Sequence, residues 1–319
     1  MDSDSVPVPK LASSTDRYKR RFDAYPSGRA AFKSILSHLD WGHGRVLLLP
    51  SYIGWSPREG SGVFDPVQEL GLPYEFYRLD RRLEVDQAHL AERMQQNPRA
   101  VLLLIHYFGR SDPGYGSITA MARSLNLEVI EDEAHGMLTD LVGGLTGRAG
   151  HHAFFSLHKL LPLAQGGALV VNASSTTVAT NLVPELLNYD LHLIAQTRIK
   201  HFNQLHALLL PLKNHIEFLW PELAQGEVPQ TFPIRIKGAV HQRSVRDAIY
   251  DKMNQKGFGV VSLYHTLIDA IDPSEFPQSH ELACSILNLP VHQDINPKSL
   301  AGMVEALAEA LGAEGLEHV

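Results

Sequence analysis

The chain has 319 residues, 44% of them hydrophobic and 20% charged, a balance that specifies a folded globular protein and leaves length for a large α/β domain plus a smaller one. Its formal net charge of −7 repels polyanions, which argues against nucleic acid or an anionic membrane surface as a main partner while leaving room for a local basic pocket. The single cysteine, Cys284, cannot form an intrachain disulfide, and no apolar run approaches the length of a membrane span.

The first residues, Met1-Asp2-Ser3-Asp4-Ser5, are acidic and lack the basic and apolar regions of a signal peptide, so cytoplasm is the expected location. Residues 1–15 are rich in Ser, Asp and Pro and read as a poorly ordered arm. From 16 to 183 short apolar runs alternate with helical periodicity, the pattern of a large α/β domain with a mostly parallel sheet covered by helices. Buried strands are expected over 46–49, 100–105, 127–130, 152–155 and 168–171. The first four are followed in turn by Pro50-Ser51-Tyr52, His106-Tyr107-Phe108-Gly109, Glu131-Asp132 and Ser156-Leu157-His158-Lys159. Ligands of open α/β sheets collect at the carboxyl ends of strands, so these segments are expected to converge.

Beyond the sheet, the apolar spacing from Pro184 to about Trp220 predicts one long helix or a broken pair within a connecting segment, 184–226. A small C-terminal α/β domain is expected over 227–319, with strands at 232–236 and 259–264 and helices at 244–255 and 296–311. No internal repeat or low-complexity tract interrupts this order.

Lys159 carries the strongest chemical signal. It lies in a Ser-x-His-Lys turn between the apolar runs ending at Phe155 and beginning at Ala168, and an acid, Asp132, ends an earlier buried strand. A Schiff-base amine paired with a carboxylate for a pyridinium nitrogen is how proteins hold pyridoxal phosphate. An amine whose ordinary pKa is about 10.4 must be partly neutral for this work, and burial beside a cationic ring lowers it.

In order along the chain, Ser27-Gly28-Arg29-Ala30-Ala31, Leu49-Pro50-Ser51-Tyr52, His106 to Asp112, Val129-Ile130-Glu131-Asp132-Glu133-Ala134-His135-Gly136, Gly147-Arg148-Ala149-Gly150 and the lysine turn form one pattern. Gly257 to His265 and Ile286 to His292 extend it. This pattern resembles the DegT/DnrJ/EryC1/StrS family of sugar aminotransferases, which implies the fold type I pyridoxal-phosphate architecture and a homodimer.

The resemblance implies that Lys159 binds the cofactor and carries the proton between substrate and cofactor carbons, and that Asp132 rather than Glu131 faces the pyridine nitrogen. An aspartate there also suits the cap of a helix beginning at Glu133. His135, three residues on, falls on the same face one helical turn along, at a position the family commonly fills with Gln or His beside the ring. The Ser27-Gly28-Arg29 turn offers backbone N–H groups at a helix start for the cofactor phosphate, and Ser156 adds a hydroxyl; each also suits ordinary turn and cap chemistry. Tyr52 is the first choice for an aromatic ring on the pyridine face, with Trp55 the alternative. His106, Tyr107, His158, Tyr264 and His265 are further candidates for the pocket wall. No metal ligand set is expected.

Two departures stand out. The family usually has Thr where Arg29 stands, and its segment after the lysine, which reaches the partner subunit's cofactor, is shortened here so that only Leu187-Asn188-Tyr189-Asp190 is alike. Asn188 is the residue expected to serve there. The expected activity is transfer of an amino group from a small-molecule donor such as glutamate to a keto substrate, a keto sugar or related biosynthetic intermediate. The same lysine and aspartate also serve elimination, cyclisation or decarboxylation of amino acids, and a non-catalytic regulatory relative would retain the fold without the activity.

Overall fold

The computed structural model describes residues 22–172, 188–239 and 242–313. The arm expected over 1–15, and the stretch Pro184 to Leu187 of the expected connecting helix, lie outside the described residues.

A seven-stranded sheet organises the first half. Its strands are β1 (Asp23–Tyr25), β2 (Leu47–Pro50), β3 (Tyr74–Tyr77), β4 (Val101–Ile105), β5 (Glu128–Asp132), β6 (His152–Ser156) and β7 (Gly167–Val171), in the order β1-β7-β6-β5-β4-β2-β3. From β3 across to β6 every neighbouring pair is parallel. Such pairs need long crossovers, and helices α2 (Phe64–Glu69), α3 (Gln87–Gln96) and α4 (Tyr115–Ser124) lie in the intervening chain, with α1 (Gly28–His38) preceding β2. Strand β2, Leu-Leu-Leu-Pro, is buried throughout, as expected when helices cover both faces of a sheet. All five expected strands are present, but β7 runs antiparallel to β6. Only ten residues, 157–166, separate the two, fewer than a parallel crossover requires.

Helix α1 begins where its sequence directs. Ser27 has extended backbone angles and its hydroxyl accepts the Ala30 N–H at 3.1 Å, the usual N-cap contact. Ala31, Phe32, Ile35 and Leu36 form its buried stripe, and Phe32 stacks on Phe154 of β6 with centroids 4.8 Å apart.

In the second half, α5 (Leu191–Leu209) leads to β8 (Ile216–Phe218), β9 (Thr231–Ile236), α6 (Arg243–Gln255), α7 (Pro277–Ser285), β10 (Ile286–Pro290) and α8 (Ser299–Ala313). The strands form an antiparallel sheet ordered β10-β9-β8. Phe202 and Leu205 of α5, Ile249 and Met253 of α6, and Leu300 and Leu307 of α8 bury this sheet's Ile234, Leu287 and Leu289 in a separate apolar cluster.

Two expectations need correction. The helix read towards Trp220 stops at Leu209, passes through a 3-10 turn at Leu210–Leu212, and gives way to β8. Pro211 lacks the N–H that would continue the ladder, and its ring crowds the preceding turn. The stretch 259–264 is not a strand: only Val261 bridges to Asn288. Its other groups are satisfied by side chains instead of a neighbouring strand, the Leu263 N–H by Asn288 Oδ1 at 2.9 Å and the Tyr264 N–H by the Tyr52 hydroxyl at 2.8 Å. No helix among the described residues is long and apolar enough to cross a membrane.

Candidate active site

The carboxyl ends of β2, β5 and β6, the start of α1 and the segment 262–265 enclose a cavity of about 680 Å³. Ser27, Gly28, Arg29, Tyr52, Asp132, His135, Ser156 and Lys159 all line it, so eight of the nine residues singled out in the sequence share one site. The ninth, Asn188, is exposed and is not part of this wall. Trp55, His158, Tyr264 and His265 also face the cavity, whereas His106 and Tyr107 do not.

Strand alternation separates two adjacent acids. Successive side chains of a strand point to opposite faces, so Asp132 reaches the cavity while Glu131 points away. The Asp132 Oδ1 accepts the Ala134 N–H at 2.8 Å, a contact that closes a turn and does not cap the helix expected from Glu133. A turn, not a helix, follows: residues 134–136 curl back, and His135 reaches the cavity through that turn. Burial pushes the Asp132 carboxyl above the usual aspartate range, against the pull of Lys159, the Ala134 N–H and His106.

Glu131 is the centre of a buried knot. Its carboxylate accepts from His106 Nε2 at 2.9 Å, the Tyr115 hydroxyl at 2.8 Å and the N–H groups of Gly147, Ala149 and Gly150 at 2.7, 3.0 and 2.7 Å. Glu133 Oε1 lies 3.5 Å from the same His106 nitrogen. These three side chains are close enough to share a metal ion, but Glu131 already has five donors, which makes the cluster a clasp for the Gly147–Gly150 loop. Burial works against a charged His106, yet Glu133, Glu131 and Asp132 outweigh it and push the imidazole up to about 9. Burial, with Asp140 and Glu131 nearby, pushes the Glu133 carboxyl up to about 8.

Lys159 closes the short helical turn after β6, Leu157–Lys159. Its side chain is accessible through the open cavity, but protein surrounds that space. The resulting desolvation lowers the amine below the usual lysine range, although Asp132 and Glu59 favour its charged form. Its Nζ lies 3.0 Å from Nε2 of His135. That imidazole is held well below the usual histidine range by burial first and by the Lys159 charge second.

The start of α1 offers an anion cradle. Gly28 packs so tightly on the end of β6 that a Cβ there would sit 3.1 Å from both the Phe155 carbonyl oxygen and the Ser156 Cβ. The backbone donors of the first turn and the buried Ser156 thereby meet at one corner of the cavity. The Arg29 guanidinium is directed elsewhere: it pairs with Asp65 at 3.1 Å and donates to the Glu59 carbonyl. Its backbone, not its charge, belongs to the cradle.

Tyr52 is fully buried, and its ring meets Tyr107 edge-on at 5.8 Å and Tyr264 at 5.7 Å. The neighbouring Gly54 allows this wall to form, because a Cβ at residue 54 would lie 2.0 Å from a Tyr264 ring carbon. Apart from Trp55, the residues of the 53–63 loop that line the cavity, Arg58 and Glu59 among them, were not singled out from the sequence. The Gly/Ser cluster Gly60-Ser61-Gly62 directly beyond a strand-end site was the available signal.

Residues 24–183 match the DegT/DnrJ/EryC1/StrS aminotransferase family. No curated protein sequence matches the chain. Among solved structures, Spr1654 from Streptococcus pneumoniae, assigned to the sugar aminotransferases, superposes in its PMP form with a TM-score of 0.75 at 13% identity, covering 97% of this chain and 92% of that one. Its PLP form gives 0.75 at 14% identity with the same coverage. A DegT/DnrJ/EryC1/StrS aminotransferase from Brucella abortus gives 0.72 at 18% identity, covering 95% and 90%. The fold is therefore the fold type I architecture that the sequence pattern led us to expect.

Proposed function

The chain belongs to the DegT/DnrJ/EryC1/StrS aminotransferase family, and from that premise we propose that it moves an amino group from a donor such as glutamate to a keto substrate, with pyridoxal phosphate held on Lys159. One observation carries the reading: Lys159 and Asp132 face one cavity whose corner is the capped start of α1.

The residues present fit the cofactor. Lys159 supplies an amine whose pKa is already lowered by desolvation, Asp132 a buried carboxylate for the ring nitrogen, and Ser27, Gly28, Arg29 and Ser156 the donors for a phosphate. When bound, pyridoxal phosphate supplies an electron sink for the carbanion left as the substrate carbon loses its proton. Asp132 holds the proton on the pyridine nitrogen. Lys159 Nζ would anchor the cofactor and would move the proton at the substrate carbon. His135 stands beside the amine, and Tyr52 and Tyr264 exclude water from one side of the cavity.

A keto sugar is the favoured acceptor, in keeping with the family and with the assignment of Spr1654. The working form is read as a cytoplasmic homodimer, with Asn188 at a subunit boundary. Its parts are read as an N-terminal stretch over 1–15, a large domain over 16–183 and a small domain over 227–319, the segment 184–226 between them adding α5 to the small domain's core and β8 to its sheet. Light scattering on the eluted protein tests the dimer. Incubation with glutamate and cofactor tests the reaction class: stoichiometric 2-oxoglutarate is expected, and failure of every amino donor to yield its own keto acid would leave elimination or decarboxylation as the better reading.

A further inference from the structure

The imidazole of His135 is pinned on three sides. Nε2 meets Lys159 Nζ at 3.0 Å, Nδ1 accepts the backbone N–H of Phe108 at 3.4 Å, and the Phe108 ring stacks on the imidazole with centroids 5.5 Å apart and 20° between planes. A neutral imidazole carries one proton. With Nδ1 accepting from the backbone, that proton sits on Nε2 and points at Lys159. An ammonium has no lone pair to receive it, so this hydrogen bond exists only when the lysine is a free amine.

We infer that Phe108 and His135 form a tautomer lock that presents Lys159 as a neutral nucleophile in the unliganded protein, with His135 the positioning residue and the Phe108 N–H its fixed reference. The inference rests on the proposed role of Lys159 for its purpose, but its geometry belongs to the chain alone.

The reference is fixed by tertiary contacts. Phe108 lies at φ 55 and Gly109 at φ 89, conformations that strain a residue bearing a side chain. The turn is clamped from the second half of the chain: the Phe108 carbonyl accepts the Gln230 N–H at 2.7 Å, and the Val228 carbonyl oxygen lies 2.1 Å from where a Cβ on Gly109 would be. The Thr139 hydroxyl donates to the Gly109 carbonyl at 2.5 Å. Turning the Phe108 N–H away from His135 means breaking this clamp. The charged groups acting on the pair are Asp132 and Glu59, which favour an ammonium. Burial and the Nε2 proton oppose them.

The direct test is a long-range proton–nitrogen NMR spectrum of the cofactor-free protein labelled with nitrogen-15 histidine, with His135→Gln to assign the signals. The lock requires an unprotonated Nδ1 and a protonated Nε2 at neutral pH; the opposite tautomer or an imidazolium would overturn it. A second readout is the rate at which formaldehyde and cyanoborohydride methylate Lys159, followed by peptide mass. His135→Phe removes the donor, and a slowing of about tenfold at pH 7 is expected, equivalent to a rise of roughly one pKa unit in the amine. His135→Gln can donate from its amide nitrogen and accept from Phe108 with its oxygen, so it should methylate near the wild-type rate. Equal rates in wild type and His135→Phe would overturn the lock. Neither measurement uses cofactor or substrate, so failure of the aminotransferase reading leaves both results interpretable.

Discussion

The Tyr52 hydroxyl accepts the Tyr264 N–H at 2.8 Å and donates to the Leu263 carbonyl at 3.0 Å, so one phenol satisfies two backbone groups of a segment 212 residues along the chain. This joint ties the loop after β2 to the cavity wall supplied by the second half. Tyr52→Phe removes the partner of both partly buried groups, which costs on the order of 1 kcal/mol. Denaturant unfolding should show a lower midpoint with an unchanged slope; an unchanged midpoint would count against the joint.

Gly54 marks the same seam from the other side. Ring carbons of Tyr264 lie 2.0 and 2.1 Å from the Cβ that Gly54→Ala would introduce, so the ring must move or the loop must open. Loss of roughly 1–3 kcal/mol is expected from such overpacking, together with weaker cofactor retention, because Gly54 and Tyr264 both line the cavity. Thermal unfolding of the variant with and without cofactor checks both effects.

Much of this arrangement was legible in the sequence. The apolar runs gave the strands of the large sheet because each is short, mostly buried and bounded by polar or turn residues. Asp132 could be placed at the cavity because it ends such a run, and Lys159 because it closes the short turn after one. The Gly54–Tyr264 contact, the Glu131 clasp and the Phe108 turn could not, since each depends on atoms brought together from distant segments and no local period reports them. The strand expected over 259–264 failed for the same reason: its hydrogen bonds go to the Asn288 and Tyr52 side chains, a choice settled by tertiary packing.

Glu133 gives the chain a pH dependence with a definite sign. Burial pushes its folded-state carboxyl up to about 8, so the folded chain keeps a proton that the unfolded chain releases near the ordinary carboxylate pKa of about 4.3. Stability from this source is complete below that ordinary value and is lost as pH rises towards about 8. His106, pushed up to about 9, adds a loss of the same sign at higher pH. Glu133→Gln keeps the neutral form throughout, so its unfolding free energy should change less between about pH 5 and pH 8, with a gain on the order of 2 kcal/mol at the upper end. A variant as pH-sensitive as the wild type would contradict this.

Asp132→Asn isolates charge from shape. The amide oxygen can still accept the Ala134 N–H, so folding and the His135 turn should persist, while the counter-charge for a pyridinium nitrogen is lost. Turnover is expected to fall at least ~10²-fold, the scale of removing one preorganised electrostatic partner, with little change in thermal stability. Circular dichroism melts beside donor half-reaction rates separate the two.

Everything proposed for the site depends on Lys159 being the residue that takes up pyridoxal phosphate. Purified wild type and Lys159→Ala should be mixed with the cofactor, scanned in the visible range, treated with borohydride and digested for peptide mass. A yellow band is expected in wild type alone, with reduced cofactor fixed covalently to the peptide carrying Lys159. No band in either protein, or attachment at another lysine, would contradict it.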